Sequence, residues 1–76
     1  MKHKVKNEIE HKFSQRLKEL RNERGLGYKE FSEFMEISQG TLALWESGGE
    51  TNFSMLVKIA RYFGVSVGYL LGEEDV

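Results

Sequence analysis

The chain contains no cysteine and no proline among its 76 residues. Without thiols there can be neither a disulfide nor a thiolate metal site, so the folded state must rest on apolar burial alone, which suits a reducing cytoplasm. Without proline, helix ends must be sought at glycines, of which there are eight. Long apolar runs are also missing: none approaches the ~20 residues of a membrane span, and the charged N-terminus is not followed by the apolar stretch of a signal peptide. A soluble, cytoplasmic protein without membrane association is expected. No internal repeat or low-complexity segment stands out.

Cationic excess is lacking as well, the net charge being −1. That weighs against a partner held chiefly by counterion release. The charge is unevenly placed, however: residues 1–30 carry nine Lys or Arg against five Glu, and residues 31–76 carry two against seven acidic residues. A basic end suited to steering toward phosphates is one meaning of this asymmetry; a solvated charged face plus an acidic tail is the other. A chain this short buries only about 60% of its surface, which allows one compact domain and no second.

Helical periodicity organises what is present. In residues 1–12, Val5 and Ile9 extend an i, i+4 series into Phe13 and Leu17, so either the first helix starts early or the segment is a basic arm presenting Lys2, Lys4 and Lys6 to a phosphate backbone. His3 and His11 lack a third ligand nearby and read as exposed terminal residues rather than a metal site. From Phe13 to Arg24, Phe13, Leu17 and Leu20 form an apolar stripe, Arg21 sits beside it in need of a partner, and Gly25 supplies a left-handed exit. A second helix, Tyr28 to Met35, turns Phe31, Phe34 and Met35 inward. Glu36 and Ile37 then lead to Ser38, a turn of about three or four residues, as a helix-turn-helix requires.

The next stretch, Ser38 to Gly48, organises the rest. Ser38 fits an N-cap and Gly48 an exit. Leu42 and Trp45 share a packing face, while Gln39, Gly40, Ala43 and Leu44 fall on the other side. After a flexible link, Asn52 caps a fourth helix with Phe53, Leu56, Val57, Ile59, Ala60 and Phe63 inward and Gly64 as its stop. Ser66 caps a short fifth helix with Val67, Tyr69, Leu70 and Leu71, and Gly72 ends it. Val67, Tyr69 and Leu70 are either core, with Tyr69 at its edge, or a small patch for a second copy. Glu73 to Val76 is expected to be a frayed acidic tail. No segment sustains strand-like alternation, so the fold is all-α, with five short helices. No nucleophile, base and acid can be assembled and Gly48-Gly49 lacks phosphate-loop spacing, so no enzyme, cofactor or metal is implied.

The ordered set Arg16-Leu17-Lys18-Glu19-Leu20-Arg21, Gly25-Leu26, Ile37-Ser38, Thr41-Leu42, Trp45-Glu46-Ser47-Gly48, Leu56, Ala60, Phe63-Gly64-Val65-Ser66 and Leu70-Leu71 resembles the Cro and phage-repressor family of helix-turn-helix proteins. The likeness covers about residues 13–72, leaving residues 1–12 as a basic arm or helix extension and residues 73–76 as the acidic tail. It implies a compact five-helix, lambda-repressor-like domain whose third helix enters the major groove of double-stranded DNA, and a homodimeric transcriptional regulator, a repressor. By the same likeness Arg21 and Glu46 form a buried ion pair between the first and third helices.

Position by position, the resemblance makes Gln39 the first base-contacting residue, and a glutamine can bond adenine twice. Gly40, Ala43 and Leu44 match the other groove-facing positions, Leu44 suiting a thymine methyl. Thr41 lies at the edge, to reach phosphate or cap back to its own helix, beside Ser38. Tyr28 stands where the family has a phosphate-binding glutamine, and its hydroxyl can still donate. Glu36 replaces a glycine of the turn, so it adopts a positive φ or the turn differs. Glu50 replaces basic residues of the loop, with Asn52 and the first amides of the fourth helix as partial compensation. A competing reading follows from the uncharged face of Gly40, Ala43 and Leu44: an antitoxin-like or phage-encoded module that keeps the fold and binds a protein partner instead.

Overall fold

The computed structural model describes the backbone of residues 4–75 and the side chains of residues 11–75. Lys2 and His3 lie outside the described residues, as do the side chains of Lys4, Val5, Lys6 and Ile9. Among the described residues there are five helices and no strand: α1 (Lys4–Glu23), α2 (Tyr28–Met35), α3 (Gln39–Glu46), α4 (Phe53–Phe63) and α5 (Val67–Leu70). The first helix is already under way at Lys4, within the segment that had two readings, and it ends before a left-handed Gly25.

Each later helix begins on a residue whose chemistry accounts for it. The carboxylate of Glu30 accepts from the Gly27 N–H (3.0 Å) at the start of α2. Ser38, Asn52 and Ser66 accept from the amides of Thr41 (3.0 Å), Met55 (2.9 Å) and Tyr69 (2.9 Å). These bonds satisfy helix-start donors that otherwise have no partner.

Helix α2 stops at Glu36, which is left-handed (φ 62°, ψ 43°) and donates its N–H to the carbonyls of Ser32 and Glu33. Of the two ways to make the turn without glycine, the chain takes the strained one. Left-handed backbone costs a side-chain-bearing residue about 1–2 kcal/mol, partly offset by the lower unfolded-state entropy relative to glycine. Glu36→Gly is therefore expected to raise stability by about 0.5–1 kcal/mol in urea unfolding. A lower urea midpoint would mean that the glutamate side chain holds the turn.

One core joins all five helices: Phe13 and Leu17 from α1, Phe31 and Met35 from α2, Leu42 and Trp45 from α3, Ile59, Ala60 and Phe63 from α4, and Leu70 from α5. Phe13 meets Trp45 edge-on at 6.4 Å, and the Ser14 hydroxyl donates to the Trp45 carbonyl.

Three expectations need correcting. Phe53 is 74% exposed, because it occupies the first position of α4 and the buried stripe begins a turn later. Phe34 is 47% exposed; its ring lies outside Phe31 against Tyr62 at 4.4 Å, with the Lys58 ammonium 5.5 Å from it. Glu73 and Glu74 are not frayed. The Glu74 carbonyl accepts from Arg16 Nη1 (2.7 Å), its carboxylate accepts from the Ser66 hydroxyl (2.6 Å), and Glu73 N–H bonds the Gly68 carbonyl (2.9 Å). Gly68 makes room, since a Cβ there would stand 2.8 Å from the Glu74 carboxylate.

Candidate nucleic-acid interface

Helix α3 is gripped from its inner side and open on its outer side. Leu42 and Trp45 are buried, Gln39 and Gly40 are exposed, Leu44 is 56% exposed, and Thr41 and Ala43 are half-buried. The i, i+3 and i, i+4 spacing of these residues separates the two faces. At the exit, Gly48 takes φ 109° and the Gly49 N–H returns to the Leu44 carbonyl (2.8 Å).

The far end of α3 is fixed by charge. Arg21 Nε donates to Glu46 Oε2 (2.7 Å) and Nη2 to Oε1 (3.0 Å), a two-pronged pair with side chains 10% and 2% exposed. Arg21 Nη1 donates to the Leu26 carbonyl (2.7 Å), so the guanidinium also ties the turn that precedes α2. The hydrogen bond to Glu46 raises the Arg21 pKa despite the opposing cost of burial. Arg21 and Glu46 thus stand where the likeness put them.

Tyr28 belongs to this network too. Its hydroxyl donates to Glu46 Oε1 (3.3 Å), and its ring lies 4.7 Å from the Arg21 guanidinium. The group expected to face a phosphate is thus engaged within the domain. Burial first, then the charge and hydrogen bond of Glu46, push the Tyr28 phenol above its ordinary 10.0, with Arg21 opposing. In the unfolded chain the phenol loses its proton near its ordinary value; in the folded one it holds on to higher pH. Its contribution to stability is therefore whole below about pH 10 and is lost as pH climbs through the raised pKa. Urea unfolding between pH 9 and 11 is expected to show a steeper fall for the wild type than for Tyr28→Phe; parallel curves would exclude this linkage.

The other expected contacts lie at helix starts. Ser38 accepts from the Thr41 amide and donates its own hydroxyl proton to Thr41 Oγ1 (3.0 Å), so Thr41 is engaged with the cap of its own helix. Asn52 spends Oδ1 on the α4 cap. The basic half of the chain proves less free than its composition suggested. Arg16 lies over the Tyr69 ring at 4.2 Å and donates to the Tyr69 carbonyl, Arg21 is buried, and Arg24 covers Phe63 at 5.2 Å and donates to its carbonyl. All three arginines, Arg16 and Arg21 of α1 and Arg24 just after it, hold the fold together.

Two features escaped sequence reading. The contact of Tyr28 with Glu46 spans 18 residues and has no local signature. The close approach of Gly49 to Leu44 did leave a trace, the doubled glycine at 48–49, in which the first residue supplies the left-handed turn and the second the missing Cβ.

A family model described as helix-turn-helix matches residues 17–70, from within α1 to the end of α5, and the chain belongs to that family. Its domain is that of DNA-binding transcription regulators. No curated protein and no solved structure matches the chain. Among the described residues, no helix is long and apolar enough to cross a membrane.

Proposed function

We propose that the protein is a sequence-specific regulator of transcription, a cytoplasmic repressor of the Cro and phage-repressor type, which lays α3 in the major groove and binds as a homodimer. The observation that carries this reading is the two-sidedness of α3: Leu42, Trp45 and Glu46 anchor it while Gln39 and Leu44 stand in solvent. Gln39, Gly40, Ala43 and Leu44 face the bases in this reading, and the capped starts of α3 and α4, with Ser38, Thr41 and Asn52, face phosphates. Tyr28 borders the backbone and holds α2 to α3.

In vitro selection from random duplexes tests the proposal. Enrichment of a two-fold symmetric site is expected, with half-sites about one helical turn apart. Gln39→Ala should weaken binding to the selected site at least about tenfold, since each bidentate base contact carries about 1–3 kcal/mol and a dimer loses two. With α1's arginines engaged internally, the plot of log K against log salt should fall well short of a slope of about −10. Absence of enrichment at low salt would favour the second reading, a protein-interaction module, which the uncharged outer face of α3 supports.

A further inference from the structure

The outward face of α3 presents Gln39, Gly40, Ala43 and Leu44 and carries no charge. In the major groove guanine is read by a cation across O6 and N7, and cytosine by a carboxylate at its amino group. Neither reader stands on this face: the one carboxylate of the helix, Glu46, is locked on Arg21. What remains is an amide, which matches the adenine edge, and alkyl groups, which match the 5-methyl of thymine.

Leu44 is built as a fixed probe rather than a loose surface side chain. The backbone of Gly49 closes against it, so near that a Cβ at position 49 would stand 2.6 Å from Leu44 Cγ and 2.9 Å from its carbonyl oxygen. Its base is therefore pinned by the loop while 56% of the residue stays in water. Gly40, four positions earlier on the same face, has no side chain to stand between Leu44 and an approaching base edge. Resting on the operator reading, we propose that Leu44, backed by Gly49, reads thymine methyl groups, and that the half-sites accepted by α3 are A·T pairs recognised through those methyls, with no guanine contact from this helix.

The test starts from duplexes selected out of a random library and resynthesised with deoxyuridine for thymidine, which removes the 5-methyl and keeps the pairing edge. A·T pairs are expected at the positions under α3, with binding about fourfold weaker for each contacted methyl removed and at least about tenfold weaker when one in each half-site is lost. Leu44→Ala should bind the thymidine and deoxyuridine duplexes alike, while its melting temperature, followed alongside, stays near that of the wild type because the side chain is exposed. Wild-type protein that binds both duplexes equally, or selected half-sites with G·C under α3, overturns the inference and leaves operator binding standing. A library that yields no enriched duplex overturns both.

Discussion

Replacing Glu46 with alanine is expected to cost about 3–5 kcal/mol, the usual penalty for stranding one member of a buried pair. Domains of this size lose roughly 4–8 °C per kcal/mol, so the melting temperature should fall by more than about 12 °C. Stability of about 0.05–0.15 kcal/mol per residue is typical, and the loss would consume much of it. The cause is what remains behind. Arg21, 8% exposed, would keep the Leu26 carbonyl and the Tyr28 ring but lose both bonds to the carboxylate. The paired replacement Arg21→Met with Glu46→Leu should recover most of the loss, because no buried charge is left without a partner. Thermal melts of the single and double variants followed by circular dichroism check both statements. A fall of only a degree or two for Glu46→Ala would mean that water already screens the pair.

Much of the fold was legible because its helices announce both their faces and their ends. Ser38, Asn52 and Ser66 were readable as caps from residue type alone, and each accepts the expected amide. Gly25 and Gly64 were readable as stops, and both are left-handed. Errors fell where periodicity meets a boundary or a neighbour. Phe53 sits in phase with the buried stripe of α4 yet precedes its first packed turn. Phe34 lies on the inward side of α2 by count, but Phe31 already fills the core, so Phe34 becomes the outer leaf of an aromatic stack. The tail is hidden from the sequence for a different reason: four polar or terminal residues look solvated, and only the folded chain brings the distant Arg16 and Ser66 to Glu74.

The candidate site was legible in its local part only. Which side of α3 packs follows from spacing, so the sequence alone separates Leu42 and Trp45 from Gln39 and Leu44. What holds that helix in place could not be derived locally, since Arg21 and Glu46 are 25 residues apart and only the family likeness joined them. The charge count misled for the same reason. Arg16 and Arg24 look like free cations in the sequence, and it takes the placement of Tyr69 and Phe63 to show that they cover aromatic rings instead.

The second large effect belongs to Phe31, whose ring is wholly buried between α2 and α4, 5.8 Å from Tyr62 and 5.5 Å from Phe63. Phe31→Ala removes that ring from a core with no disulfide to compensate, and is expected to cost about 3–5 kcal/mol. Phe34→Ala deletes the same number of atoms three residues away, where the ring is half in water and contributes chiefly through contact with Tyr62 and Lys58. Its cost should stay near 1 kcal/mol, the scale of a single aromatic pair beyond area burial. Urea unfolding of the two variants side by side measures the difference. The contrast also bears on the proposed operator binding, because Phe31 joins α2 to α4, so Phe31→Ala should weaken duplex binding in step with its loss of folded protein, whereas Phe34→Ala should leave binding unchanged. Equal costs for the two would mean that the aromatic cluster slides to refill the space, and that the packing of α2 against α4 is softer than its ring contacts suggest.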